Sequence, residues 1–385
     1  MKNKAFSHTE LLFLITISLA LGIRQIAMTM VMPFISTYSK TLMYSNAALA
    51  GIALGIFGLT QAIFQIPFGV WSDKIGNKTV ILIGLMQVII GLFIAFLAKN
   101  IYILILARAL QGSGAIIATG YSWVTGSVES KKRPRALSIL GIIIGFAAAA
   151  SFALGPLINR YLSVRQMFLV CAFLILIVWF TILFFLKDSE REDKSQEVSI
   201  RDGMKGLLKN KRFLSLNLAG FFNNFIMVSV FYVVPIYLES ITGIDGMWKV
   251  FMPAVIIAII LMRKSVKYIE KGFGEKLIRI AFIITALGIV FYFNNKSFYF
   301  ILIGSILFMT GYISLATIIP SLANDIAEDS YRGAANGIIN SFQYVGSFIG
   351  AAVTGILWSL NENATLILII VIAVMGIFIQ SKNKV

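Results

Sequence analysis

The sequence is poor in charged residues. They make up 13% of its 385 residues, whereas soluble domains carry about a quarter. Apolar residues reach 58%, and the mean hydropathy is +0.88. This balance excludes a soluble catalytic domain and predicts a protein that crosses the membrane many times.

Cysteine and histidine are nearly absent. The one cysteine is Cys171, inside an apolar run, and the one histidine is His8, ahead of the first such run. One cysteine forms no disulfide within a chain, and a metal site or a histidine-assisted nucleophile needs several such side chains together. We therefore expect no enzyme activity, no metal and no cofactor.

Acidic residues are missing from the interior of the apolar runs. Glu10, Asp73, Glu239 and Asp325 all lie at their ends. A carrier that exchanges protons usually needs a titratable group inside the membrane, most often a carboxylate. The absence weakens a proton-exchange interpretation and favours an uncoupled facilitator, or a carrier for an anionic or neutral solute.

Long apolar runs recur along the whole chain. About 20 apolar residues cross a bilayer, so the runs predict an all-α membrane fold with twelve spans. We place the spans at residues 10–37, 47–71, 79–98, 101–126, 136–158, 165–187, 213–238, 248–266, 277–294, 298–322, 334–358 and 363–381.

The basic residues indicate topology. The net charge of +16 comes from lysines and arginines scattered through short loops, a pattern that suits membrane orientation better than nucleic-acid binding. Most of them fall on one side if both chain ends are cytoplasmic, and the positive-inside rule then predicts that orientation.

The longest polar stretch divides the chain in the middle. It predicts an N-terminal six-helix bundle over 1–186, a cytoplasmic linker over 187–212 and a C-terminal six-helix bundle over 213–385. In the later linker, the apolar residues among the basic ones are compatible with a short helix on the membrane surface: Val198, Ile200, Met204, Leu207 and Leu208. A solvated linker is the alternative.

The two halves repeat one glycine pattern. The fifth span carries Gly141 and Gly145, and the eleventh carries Gly346 and Gly350, each pair four residues apart. This spacing permits close helix contact, and a repeated six-helix unit explains it most simply. Transporters built from such repeats hold their substrate near the midplane between them.

A charged turn, GVWSDKIGNK, separates the second and third predicted spans. It holds Gly69, Asp73, Lys74, Gly76 and Lys78 at a spacing that resembles the signature of the major facilitator superfamily. The preceding LTQAIFQIPFG and the later ILARALQGSGA are similar to its bacterial drug:proton antiporter-type branch. The resemblance implies two pseudo-symmetric six-helix bundles in the inner (plasma) membrane, exporting a small organic molecule or drug by alternating access.

We expect this turn to act as a conformational latch. Gly69 would allow close helix approach, Gly76 a sharp turn, and Asp73 would sit at the N-terminus of a neighbouring helix. The resemblance implies that the latch holds the outward-open state. Asn77 and Gly126 stand where relatives usually carry charges, which suggests a weaker latch. A basic turn that only sets topology is the alternative.

The fifth span also holds Gly155 and Pro156. They resemble an incomplete form of the glycine-proline motif of antiporters, because Ser151 replaces an expected glycine. The pattern predicts a kinked, tightly packed helix, and it supports antiport only weakly.

Two arginines, Arg24 and Arg108, lie well inside the predicted spans. A charge there is costly unless it faces a cavity or a partner, so both are candidates for substrate binding or coupling. The resemblance implies proton coupling or a backbone contact for Arg108; snorkelling is the structural alternative. Further candidates share helical faces: Met28, Gln61, Gln65, Gln111, Asn217, Asn224, Asn340 and Gln343.

The expected partners are a small-molecule substrate and the lipid bilayer, with the proton left open and no nucleic acid. The carrier is expected to be a monomer. An ion channel, a membrane enzyme and a nontransporting sensor are the rivals. The repeated halves and the signature turn favour a carrier over a channel.

Overall fold

The computed structural model describes residues 6–188, 206–270, 272–327 and 332–379. These residues form an all-α fold with one isolated β-bridge, between Met43 and Asn100. The end of the predicted surface helix is described: residues 206–209 are helical, with Leu207 buried and Leu208 exposed. Its earlier residues Val198, Ile200 and Met204 lie outside the described residues. The division of the chain into two bundles stays a prediction, and the two halves are named here only by sequence.

Helices of the N-terminal half run up to residue 188. They are α1 (His8–Thr29), α2 (Ile35–Ser39), α3 (Ala47–Ile75), α4 (Asn77–Leu97), α5 (Ile101–Ser113), α6 (Ile117–Ser127), α7 (Arg133–Asn159) and α8 (Val164–Phe185).

Helices of the C-terminal half begin just after the linker. They are α9 (Lys211–Thr242), α10 (Trp248–Glu270), α11 (Gly274–Phe291), α12 (Phe298–Ile326), α13 (Arg332–Leu360) and α14 (Glu362–Ile379). We call the side that holds Ser7, Gly76 and Lys211 the linker end, and the side that holds Lys40, Asn100 and Gly243 the far end.

Eleven helical stretches of the described chain are long and apolar enough to cross a bilayer. They coincide with eleven of the predicted spans. The remaining prediction falls on α11, whose 18 residues include Glu275, Lys276 and Arg279 in its first two turns. The helix is present but more charged than the others, which is consistent with twelve spans.

Two predicted spans are interrupted rather than continuous. The first breaks after Thr29, and Pro33 begins a short 3₁₀ turn over Met32–Phe34 before α2. The fourth breaks between α5 and α6, at residues 114–116. A side chain at Gly114 would meet Val88 at 2.8 Å and the Gly84 carbonyl oxygen, so only glycine fits at this break.

Asparagine and serine fix several helix starts. Asn46 and Asn100 at the far end, and Asn210 at the linker end, each accept a backbone N–H from three residues ahead. Ser7 and Ser163 form full capping boxes. Each cap stabilises its helix by about 0.5–2 kcal/mol relative to alanine, so the sequence sets these boundaries locally.

Helices α3 and α13 form the main contact between the two halves. On α3 the contact uses Gly51, Gly55 and Gly58, a stripe that our sequence interpretation missed. A methyl group at Gly58 would lie 2.6 Å from the carbonyl oxygen of Tyr344, and one at Gly55 2.8 Å from Ala351 Cβ. The two backbones therefore touch with no side chain between them.

The predicted packing glycines differ in their surroundings. A Cβ at Gly350 would lie 2.7 Å from the Phe225 carbonyl oxygen, and Gly346 faces Phe221 in the same way. A Cβ at Gly155 would meet the Met30 carbonyl oxygen, and one at Gly141 would lie 3.1 Å from the Tyr121 hydroxyl oxygen.

Gly145 departs from the prediction of close packing. A Cβ there would meet nothing within 4 Å, because no neighbouring helix approaches that side of α7. Pro156 is buried in the last turn of α7, which continues to Asn159.

Candidate functional site

Arg24 lies at the centre of the membrane fold. Its side chain is 1% exposed, and Nη2 donates to Gln61 Oε1 at 2.9 Å and to the Gly114 carbonyl oxygen at 2.7 Å. Gly114 sits at the break between α5 and α6, where the helical hydrogen bonds are interrupted. Arg24 therefore donates to a backbone carbonyl oxygen at the helix break. Inside a membrane, such an oxygen is costly when it has no hydrogen-bond partner.

Arg108 is fully buried on α5. Its Nη1 donates to Gln111 Oε1 at 2.7 Å, and its guanidinium carbon stands 5.1 Å from the ring centroid of Phe57. Gln111 in turn donates to the Gly91 carbonyl oxygen at 3.1 Å. The arginine is thus held by an amide and by an aromatic face, with both contacts electrically neutral.

Both arginines converge on one turn of α3. Arg108 contacts Phe57 and Arg24 contacts Gln61, and residues four apart share a helix face. Tyr344 of α13 reaches the same turn, with its ring 6.2 Å from that of Phe57 and its hydroxyl within electrostatic range of Arg24. We call these five residues the central cluster.

Further aromatic side chains from both halves lie near the central cluster. Tyr121 and Tyr312 are each within electrostatic range of Tyr344. Phe152 stacks on Phe231 at 4.5 Å and meets the Tyr312 ring at 6.1 Å. The sequence interpretation missed these tyrosines; the signal was a polar-headed aromatic residue in the middle of a span.

Three of the other predicted substrate residues, Gln65, Asn217 and Asn224, each make a separate hydrogen bond outside the central cluster. Gln65 donates across the halves to the Gly337 carbonyl oxygen at 3.1 Å. Asn224 donates to Ser347 Oγ at 3.4 Å, and Asn217 donates to Phe213 within its own helix.

Three further predicted residues, Met28, Asn340 and Gln343, are located here by their burial. Met28 is fully buried in the core. Asn340 and Gln343 are half-buried on α13, and the Gln343 side chain lies against Gly220 of α9. None of these positions tests a substrate role, which stays a prediction.

The signature turn contacts the end of α8. Gly76 closes α3 at φ +94°, a conformation that favours glycine, and a Cβ there would meet the Asp188 carboxylate. Lys78 Nζ donates to the carbonyl oxygens of Leu183 at 2.8 Å and Leu186 at 2.7 Å. A cation at a helix C-terminus is favourable, so Lys78 ties the α3–α4 turn to α8.

Other parts of the latch prediction are not met or not described. A Cβ at Gly69 would find nothing within 4 Å, because no helix backbone approaches α3 there. Lys74 is exposed. The Asp73 side chain lies outside the described part of the structure, so its role as latch charge stays a prediction.

At the far end, bonds cross between the halves. Lys40 Nζ pairs with Glu239 Oε2 at 2.9 Å, and the Tyr232 hydroxyl donates to the Ala47 carbonyl oxygen at 2.8 Å. We call these four residues the far-end seam. A cavity of about 230 Å³ lies beside it, lined by Ser36, Ser39, Lys40, Ser45, Asn46, Ala47, Ala50, Tyr232, Ile236 and Trp358.

At the linker end, each half has ion pairs of its own. Lys132 Nζ pairs with Glu10 at 3.0 Å and with Glu129 at 2.9 Å. The hydrogen bonds that the Lys132 ammonium donates to the Glu129 and Glu10 carboxylates raise its pKa. Arg212 Nε pairs with Glu275 at 2.8 Å in the C-terminal half. Within the described residues, no three His, Cys, Asp or Glu side chains are grouped as metal ligands.

Known proteins resemble the chain over nearly its whole length. The family model described as Major Facilitator Superfamily matches residues 17–351. The inner membrane transport protein YajR of Escherichia coli (strain K12) is 30% identical over 339 residues, covering 87% of this chain and 74% of YajR.

Two further comparisons agree. Multidrug resistance protein 1 of Bacillus subtilis (strain 168) is 25% identical over 344 residues, 87% of this chain and 86% of that protein. A crystal structure of a bacterial homolog of the human lysosomal transporter Spinster has a TM-score of 0.77 at 14% identity, covering 98% of this chain and 97% of that one, which shows the fold. The chain belongs to the major facilitator superfamily, and it is a multi-pass membrane carrier for small molecules, not an enzyme.

Proposed function

We propose that this carrier exports a small organic solute from the cytoplasm by alternating access, with the linker end and both chain ends in the cytoplasm. One observation carries the proposal: the far-end seam joins the halves on one side of the central cluster. A solute then reaches the cluster from the linker end and leaves after the seam opens. Export is inferred from the resemblance of the signature turn and its neighbouring segments to the drug:proton antiporter-type branch. The name of YajR supports transport in an inner membrane, and that of Multidrug resistance protein 1 supports a drug as the solute.

The transport cycle exchanges one set of contacts for another. Opening the far end breaks the Lys40–Glu239 pair and the Tyr232–Ala47 hydrogen bond. Closing the linker end brings the signature turn, with Asp73, against the C-terminal half. Because the α3–α13 contact is backbone against backbone, it serves as the axis about which the halves rock.

Proton coupling is the finer question within this function. The spans contain no acid in their interior, and the two charged side chains that are buried among the described residues are Arg24 and Arg108. Arginine stays protonated at physiological pH, so it carries no proton through a cycle. This observation favours a second candidate, an uncoupled carrier driven by the gradient of its own solute.

Transport by reconstituted protein tests both candidates. Proteoliposomes would be prepared with the linker side outward, as judged by protease access to the linker, and supplied with fluorescent organic anions and cations. The export proposal expects uptake from the linker side that falls more than tenfold in Arg24→Gln. Arg160→Gln, at an exposed far-end arginine, is the matched control and keeps full activity.

An imposed pH gradient then separates the two candidates. If the gradient accelerates uptake and drives accumulation, the carrier is proton-coupled. If uptake follows the solute gradient alone, the carrier is uncoupled. Absence of uptake for every probe, with folded protein, would contradict export of small organic solutes.

A further inference from the structure

We propose that the central cluster binds an organic anion: a solute with a carboxylate-type group that sits between Arg24 and Arg108 and a flat apolar body that packs against Phe57 and Tyr344. This inference rests on the proposed function and names its substrate class. It is argued from charge, from unused donors and from the position of the cluster between the halves.

The charge of the cluster is not balanced by the protein. The hydrogen bonds of Arg24 go to an amide oxygen and a backbone oxygen, and that of Arg108 goes to an amide oxygen. No acid occurs in the interior of any span. Two guanidinium groups in a medium of low dielectric constant therefore face only neutral partners, although buried charges are normally paired.

The buried polar atoms of the two arginines and Gln61 that lack a hydrogen-bond partner are all donors. Arg24 Nε, Arg108 Nε, Arg108 Nη2 and Gln61 Nε2 are buried without a hydrogen-bond partner. The side-chain acceptors beside them, Gln61 Oε1 and Gln111 Oε1, are already occupied by the arginines. The missing partner must supply acceptors, and a negatively charged one also balances the charge. Planar carboxylates match the forked donor geometry of a guanidinium group.

The position of the cluster selects an organic solute over a bare ion. Tyr344 comes from α13, while the arginines come from α1 and α5, so the cluster spans the interface that alternating access opens. The Phe57 and Tyr344 rings meet there edge to face, and Tyr121 and Tyr312 lie within electrostatic range of Tyr344. The buried ring of Phe57 and the half-buried tyrosine rings offer apolar faces to a flat solute body once the interface opens. A lipophilic cation would fit the rings but be repelled by both arginines.

The test compares three probes of one shape and different charge: 1-naphthoate, 1-naphthamide and 1-naphthylmethylammonium. Binding to the purified full-length protein is measured by thermal shift and by equilibrium dialysis at constant ionic strength, with sodium chloride at the same added concentration as a fourth probe. We expect naphthoate to bind at least tenfold tighter than the amide, with no shift from the ammonium probe. Equal binding of the amide, preference for the cation, or an equal shift from chloride would overturn the proposal.

Variants locate the binding site. Arg24→Gln and Arg108→Gln should each weaken naphthoate binding at least tenfold, and Arg160→Gln should leave it unchanged. If Arg24→Gln does not fold, because the Gly114 carbonyl oxygen loses its donor, Arg24→Lys keeps a charge and a donor and should lose only part of the affinity. Unchanged affinity in both glutamine variants, or in Arg24→Lys and Arg108→Gln, would contradict the site.

The outcomes distinguish failure of the organic-anion site from failure of the export function. Naphthoate binding to the arginines, with no transport of naphthoate or any other probe, would leave the site intact and contradict the export function. Export of cationic probes without naphthoate binding would leave the export function intact and contradict the organic-anion site.

Discussion

The two ends of the interface between the halves are held by different kinds of contact. At the far end, the bonds of Lys40 and Tyr232 cross from one half to the other. At the linker end, the bonds of Glu10, Lys78 and Arg212 stay within one half. Among the described contacts, the far end is fastened across the interface by side-chain bonds, whereas the ion pairs of the linker end join helices of one half. The Gln65–Gly337 hydrogen bond also crosses the interface, on the linker side of the central cluster. A rocking carrier needs this difference to reverse during its cycle.

The largest effect is expected where the two backbones touch. Gly58→Ala places a methyl group 2.6 Å from the Tyr344 carbonyl oxygen, and a backbone atom cannot move aside as a flexible side chain can. We expect a loss of about 1–3 kcal/mol in the free energy of unfolding and reduced transport. Thermal unfolding in detergent and proteoliposome flux measure the two quantities.

Gly145→Ala is the matched control for this prediction. It is also a glycine inside a helix, but its methyl group would enter open space. Replacing glycine with alanine there should stabilise the helix by about 0.5–1 kcal/mol. Equal destabilisation by the two substitutions would show that the close α3–α13 contact is not what makes Gly58→Ala destabilising.

The next effect should be confined to the linker end. Lys78→Met removes two charged hydrogen bonds to the carbonyl oxygens that end α8. We expect a loss of about 1–2 kcal/mol, at the low side of the range for charged hydrogen bonds because the side chain is half-exposed. Lys99→Met, at an exposed lysine of the far end, should change the thermal midpoint little.

A hydrogen bond of the far-end seam should give a smaller change of a different kind. Tyr232→Phe keeps the buried ring but removes the bond to the Ala47 carbonyl oxygen, at a cost of about 0.5–1.5 kcal/mol. The removed hydrogen bond stabilises only the state in which the far end is closed, so the far end should open more often in this variant. Lys78→Met should not have that effect. If both variants opened the far end equally, the contrast between the two ends would be wrong.

A reporter for this opening is available in the chain. Ser36 is buried and lines the cavity beside the seam, and the natural thiol, Cys171, is fully buried. A membrane-impermeant maleimide should therefore label Ser36→Cys only when the far end opens. The unsubstituted chain measures the background.

The sequence predicted the spans and the burial of Arg24 and Arg108 because hydropathy and the cost of a charge in lipid act residue by residue. It did not predict the break at Gly114 or the glycine stripe of α3, because both depend on which helix lies opposite. Gly145 shows the same limit. Gly141 and Gly145 have the same spacing as Gly346 and Gly350, yet Gly145 meets no neighbouring atom, whereas Gly346 and Gly350 lie against a neighbouring backbone.

The smallest effect on stability is expected at the ion pair of the far-end seam. Lys40 and Glu239 are 50% and 32% exposed, and such surface pairs contribute about 0.2–1 kcal/mol. Lys40→Glu replaces attraction with repulsion, so labelling of Ser36→Cys should rise about two- to fivefold, since about 1.4 kcal/mol corresponds to tenfold. The exchanged pair Lys40→Glu with Glu239→Lys should return labelling close to its original rate. If the exchanged pair labelled as fast as Lys40→Glu alone, the two charges would not hold the seam through each other, and the far end would be closed by the Tyr232 bond and the glycine contacts instead.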